Sequence, residues 1–141
     1  SDTNFALFCE INKVVEEGFY YTAGKVRNTP VTIGGTTWKP DLPIESVIKE
    51  ELEKIFSKEL DDIDRAIELL LYTMKKQVFI DGNKRTAVIY SNHYLISKGK
   101  GIIAIPAELT EEFKDLLIPY YEGRDEKEIK KFIKEKCYMS I

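Results

Sequence analysis

The chain has a single histidine, His93, and only two cysteines, Cys9 and Cys137, which stand near opposite ends of its 141 residues. Cysteine and histidine therefore form no cluster with metal-ligand spacing, and a structural zinc site is excluded. Two cysteines without a secretory leader read as reduced thiols rather than a staple. Basic charge is not in excess either. The net charge is −3 and the pI about 5.3, so no basic face is implied and nucleic-acid binding is set aside. No apolar run approaches the ~18 residues that cross a bilayer. Ser1-Asp2-Thr3-Asn4 is polar and acidic with no basic flank, so no secretory leader is expected and the cytoplasm is the expected compartment. Internal repeats and low-complexity segments are lacking. What remains is one domain over 1–141, with 43% apolar and 32% charged residues, large enough to bury a single core.

Helical periodicity dominates. Phe5, Phe8, Ile11, Val14 and Val15 recur at spacings of three and four, and Gly18 can close that helix. Tyr20 to Pro43 changes character: Gly24, Asn28-Thr29-Pro30 and Gly34-Gly35 separate β-branched residues, which predicts a short hairpin. The helical period returns at Ile44, with Val47, Ile48, Leu52, Ile55 and Phe56 on one face. Asp61 or Asp62 can cap the next helix, whose buried stripe is Ile63, Ile67, Leu70, Leu71 and Met74. A further helix runs from about Asn83 to Ser97, with Ala87, Ile89, Tyr90, Tyr94 and Leu95 spread around it, the pattern of a central helix. Pro106 can start another with Leu109, Phe113, Leu116 and Leu117 inward, interrupted at Pro119. Asp125 and Glu128 resemble a capping box for Ile129, Phe132 and Ile133. The fold class is mostly α with one small hairpin.

Between two of these helices lies Gln77-Val78-Phe79-Ile80-Asp81-Gly82-Asn83-Lys84-Arg85-Thr86. Gly82 permits close backbone approach, and the first N–H groups of a helix point outward without internal partners. The dipole favours an anion there. Lys84 and Arg85 add charge, Arg85 with a planar fork suited to phosphate oxygens. Asp81, the one carboxylate of the loop, could hold the Mg²⁺ that accompanies a nucleotide polyphosphate. Taken alone, such a run reads first as a solvated turn. Phe79 reads as an anchor into the core. Tyr20 and Tyr21 could stack on an adenine, with core or rim packing the plainer role.

The stretch Phe79-Ile80-Asp81-Gly82-Asn83-Lys84-Arg85 resembles the signature of the Fic (Fido) family, His-x-Phe-x-Asp/Glu-Gly-Asn-Gly/Lys-Arg. Gly24-Lys25-Val26-Arg27 followed by Val31-Thr32-Ile33-Gly34-Gly35-Thr36 resembles the family's flap, a hairpin over the active site. Gly101-Ile102-Ile103, Ile105-Pro106 and Tyr120-Tyr121 fit its later helical segments. The resemblance implies a Fic-type helical bundle with a β-hairpin flap. It also implies transfer of AMP, or another phosphate-containing group, from ATP with Mg²⁺ to a hydroxyl side chain of a target protein. By the same resemblance Gly82, Asn83, Lys84 and Arg85 would bind the nucleotide and Asp81 the metal. Gln77, Asn83 and Arg85 would occupy the catalytic positions. An exposed strand at Val31, Thr32 and Ile33 would pair with the target backbone.

Three departures qualify this. The family's general base is a histidine two residues before the Phe, and here that position is Gln77. A carboxamide cannot accept a proton at physiological pH, and losing a positioned base typically slows transfer by about 10²–10⁴-fold. His93 does not replace it: ten residues past Asn83 on a helix, it lies on the order of 15 Å away and reads as structural. Lys84 stands where Gly is common, and Val88 where a second Arg often follows; both resemble the Doc branch, which phosphorylates protein targets. Many relatives are switched off by a helix carrying Ser/Thr-x-x-x-Glu-Gly/Asn, whose Glu clamps the motif Arg. Glu17-Gly18 has Lys13 at the first position and Glu122-Gly123 has Ile118, so neither fits. The readings are weak or altered AMP transfer, Doc-like phosphate transfer, or a nucleotide-binding pseudoenzyme or interaction module. A helical DNA-binding regulator is disfavoured by the acidic balance.

Overall fold

A computed structural model describes residues 2–19 and 21–141. Its elements run α1 (Phe5–Val15), α2 (Glu45–Ser57), α3 (Asp62–Lys76), α4 (Asn83–Ser97), β1 (Ile102–Ile103), α5 (Thr110–Tyr121), α6 (Lys127–Phe132) and β2 (Tyr138–Met139). A 3₁₀ turn at Ala107–Leu109 leads into α5 and a π turn at Ile133–Cys137 follows α6.

Helix starts follow local chemistry. The Asn4 side chain accepts from Leu7 N at the head of α1, and Asp61 accepts from Asp64 N at the head of α3, each meeting a donor the helix cannot satisfy itself. Lys75 and Lys76 sit in the last turn of α3, where the dipole favours cations. Helix α4 packs against both α3 and α1 and buries Thr86, Ala87, Tyr90, Ser91, Tyr94 and Leu95, the burial of a central helix. Pro119 lies inside α5 without ending it. In the last turn its missing N–H removes a single ladder bond, so the interruption expected at Pro119 does not occur.

Phe8 of α1 is buried between two aromatic rings, 4.9 Å from Phe79 and 5.0 Å from Tyr90. Burying such a side chain contributes roughly 2–3 kcal/mol, and here it fastens the loop before α4 to α1. Phe79 is the core anchor expected of it. Val14 and Val47, expected on apolar helix faces, are instead 63% and 42% exposed.

The small sheet is not where the turn signals put it. Strands β1 and β2 pair antiparallel, Ile102 opposite Met139 and Ile103 opposite Tyr138. The described residues between 21 and 43 form no strand. Their backbone is held by the helical body instead. Arg27 N donates to Val78 O, and the buried Arg27 guanidinium donates to the carbonyls of Gln77, Thr29 and Asp41. Burial lowers the Arg27 pKa from its ordinary value, while three carbonyl acceptors satisfy its donors. Tyr20 lies outside the described residues. Tyr21 is 95% exposed, so it packs on neither core nor rim.

Candidate functional site

The loop between α3 and α4 is shaped by two residues with positive φ. Gln77 ends α3 in the left-handed region at φ 46°, uncommon for a side chain other than Gly, Asn, Asp or His. Its own amide supports the bend: Nε2 donates to Met74 O at 2.7 Å, closing the last turn of α3. Gly82 caps α4 at φ 74°. A Cβ there would meet the Glu16 carboxylate, and the positive φ favours glycine.

Between these bends Asn83 braces the loop from inside. Its Oδ1 accepts from Phe79 N at 3.0 Å, and its Nδ2 donates to Phe79 O at 2.9 Å and Gln77 Oε1 at 3.3 Å. Gln77 and Asn83, brought together as expected, are thus spent largely on each other and on backbone. Among the described residues no side chain caps the head of α4, which leaves its first amides without a helical partner, and the first turn carries Lys84 and Arg85. Partial burial, and then the ammonium of Lys114, lower the Lys84 pKa from the ordinary lysine value.

Val31, Thr32, Ile33 and Gly34 form one wall of a cleft of about 360 Å³; Gln77 and Ile80 to Arg85 form the other. The flap residues and the motif, about fifty positions apart in sequence, therefore meet over α4's head, although the flap is irregular chain rather than paired strand. The Asp81 carboxylate is exposed at the same cleft, while its carbonyl accepts from Asn12 Nδ2 at 2.9 Å. On the far side, Lys84 and Arg85 border a second cleft of about 570 Å³, whose Val88, Ile89, Ile105 and Phe113 walls are apolar.

One contact was not legible. Arg85 Nη2 donates to Glu16 Oε1 at 2.7 Å; the Glu16 side chain is 3% exposed and that of Arg85 66%. The carboxylate that reaches the motif arginine is thus Glu16, rather than Glu17 or Glu122. The available signal was the helical spacing of Asn12 and Glu16, which places both on one face of α1. His93, ten residues along α4, bonds Thr3 through Nδ1 at 2.7 Å, in keeping with a structural role.

A family profile for the Fic/DOC family matches residues 2–95. The chain belongs to the Fic/DOC family. The comparison with curated proteins finds no match. Among solved structures, the Fic/DOC chain resembles BepC, a VirB-translocated effector protein of Bartonella tribocorum with bound AMPPNP. The TM-score is 0.79 at 14% identity, over 99% of this chain and 76% of that one. The likeness confirms the Fic-like helical fold. Among the described residues no helix is long and apolar enough to cross a membrane, and no group of three or more His, Cys, Asp or Glu could hold a metal ion. Cys9 and Cys137 are both free thiols.

Proposed function

We propose that the cleft over α4 binds a nucleoside triphosphate and transfers its AMP group, slowly, to a hydroxyl of a protein target lying along Val31–Ile33. The observation that carries this is the meeting of three things in one cleft: an uncapped helix head, the Lys84–Arg85 pair and the flap residues. Backbone amides and a guanidinium suit polyphosphate oxygens, and AMPPNP, an ATP analogue, is bound in the structurally similar BepC.

In this reading the amides of α4's first turn, with Lys84 and Arg85, hold the phosphates. Gly82 lets them approach, and Asn83 keeps the loop in shape. The target hydroxyl oxygen bonds to the α-phosphorus as the bond to pyrophosphate breaks. Its proton goes to water or to the departing pyrophosphate, because Gln77 accepts none. Positioning and electrostatics then supply the rate, as they do in much of phosphoryl transfer. One exposed carboxylate beside a polyphosphate is a donor set that suits Mg²⁺; Asp81 would hold it, and the ion would neutralise phosphate charge.

A second reading, nucleotide binding without turnover, is favoured by one observation: the Gln77 amide is already hydrogen-bonded to Met74 and Asn83. Thermal shift with ATP and Mg²⁺ tests the site common to both. ATP raises the melting temperature, and Arg85→Ala abolishes the rise; an unchanged melting temperature in the unaltered chain rejects the site. Label from α-³²P-ATP on a target protein then identifies AMP transfer, label from γ-³²P-ATP identifies phosphate transfer, and neither leaves the binding module.

A further inference from the structure

Asn12 is buried, and its amide bonds to three separate segments around the cleft, one partner of which, Asp81, lines it. Nδ2 donates to Asp81 O at 2.9 Å and to Thr86 Oγ1 at 3.2 Å, and Oδ1 accepts from Gly24 N at 2.8 Å. Asp81 O belongs to the motif loop, Thr86 to the first turns of α4, and Gly24 to the start of the flap segment. None of these bonds serves Asn12's own helix. An apolar side chain would pack α1 against α4 equally well, and a buried amide is tolerated only when its partners are in place.

Packing brings the flap's start close enough for this. A Cβ on Gly24 would lie 2.8 Å from Cys9 O and from Lys13 Cβ, so the chain runs tight against α1 on either side of Asn12. At the other end of the same segment, Arg27 donates from its backbone to Val78 and from its side chain to Gln77. The flap is thereby tied to the motif loop at two points, Asn12 below and Arg27 above, with the Val31–Ile33 stretch free to line the cleft. One turn beyond Asn12 on α1, Glu16 meets Arg85.

We infer that Asn12 is a positioning residue: a single side chain sets the flap and the phosphate-binding loop in register, and so fixes the width of the cleft and the aim of α4's free amides. This deepens the nucleotide-transfer reading and rests on it for its functional consequence, but the register itself is a property of the apo chain. Asn12 touches neither nucleotide nor target.

Two substitutions separate its bonds. Asn12→Leu removes all three. Asn12→Asp keeps the acceptor for Gly24 N and removes both donations, and being isosteric it carries the test should the leucine variant fail to fold. Hydrogen exchange of the full chain without nucleotide is expected to rise at both Val31–Ile33 and Asp81–Arg85 in Asn12→Leu, but only at Asp81–Arg85 in Asn12→Asp. ATP affinity is expected to weaken on the order of tenfold in both, since the two or three hydrogen bonds lost act on the ligand only through the position of the loop. Exchange that rises evenly over the chain, or ATP affinity unchanged in variants of a chain that does bind ATP, overturns the inference. If the unaltered chain binds no ATP while the exchange pattern splits as described, the register stands and the nucleotide reading falls.

Discussion

Helices α3 and α4 begin in opposite ways. At the head of α3 the Asp61 carboxylate accepts from Asp64 N, and Asp62 and Asp64 fill the first turn, so negative charge meets the positive end of the dipole. At the head of α4 stands Gly82 with no side-chain cap, and the first turn holds Lys84 and Arg85 and no acid. Cations there oppose the dipole, and among the described residues no side chain meets the first amides. The first helix has been closed for stability. The second is left open at a local cost that an incoming anion would offset, and it faces a cleft. Adjacent helices of one core thus carry opposite charge at their heads.

The largest expected effect comes from restoring a proton acceptor beside the open head. Gln77→His keeps a residue type that tolerates φ > 0 and supplies a base with a pKa near neutrality. If AMP transfer occurs, α-label incorporation should rise about 10²–10⁴-fold. A rate unmoved by the histidine would mean that the proton is not what limits this site.

Closing the open head is next. Gly82→Ala places a methyl group against Glu16 and forces a side chain to φ 74°, which costs about 1–3 kcal/mol. The expected result is a lower melting temperature and no further rise on adding ATP. Asp61→Ala, the matching change at α3, should cost about 1 kcal/mol and leave the ATP-induced rise intact. Equal loss of the ATP effect in both variants would erase the distinction between the two helix heads.

How much of this the sequence carried depends on the range of the interaction. Asp61 as a cap, the α3 stripe from Ile67 to Met74 and the Phe79 anchor follow from neighbours a few residues apart, and they were legible. The motif loop was legible only through its resemblance to the Fic signature, since on its own residues it reads as a solvated turn. The flap was misread in form. Its glycines and Asn28-Thr29-Pro30 signal turns, but the backbone between them is satisfied by Arg27, Val78 and Gln77 rather than by a second strand. Two-residue strands at Ile102 and Tyr138, thirty-six positions apart, show no alternation to detect. The Glu16–Arg85 pair spans 69 positions, and nothing local distinguishes Glu16 from Glu17 except which face of α1 it ends.

That pair is the one place where the open head is partly shut from within. Glu16→Gln keeps an acceptor near Arg85 and removes the carboxylate that competes with a phosphate. ATP should bind several-fold tighter, a change of about 1 kcal/mol, smaller than the change from a fully buried pair because the arginine is largely in water. Isothermal titration of the variant against the unaltered chain measures it; equal or weaker affinity would show that Glu16 orients Arg85 for the ligand instead of withholding it.

The smallest effect is one of pH and lies in Lys84. Partial burial and Lys114 hold its pKa below the ordinary lysine value, so its charged form is penalised by folding. The penalty is fully present below the folded pKa and fades as pH rises toward the unfolded one. Stability contributed by this residue therefore increases on the alkaline side and falls as pH drops through the folded pKa. Binding runs the other way, since a neutral Lys84 holds phosphate less well. Over the alkaline range just below the ordinary lysine pKa, the ATP-induced rise in melting temperature should shrink, and Lys84→Met should flatten that trend. A slope that survives the substitution would assign the titration to another group and leave Arg85 and the amides as the whole of the anion site.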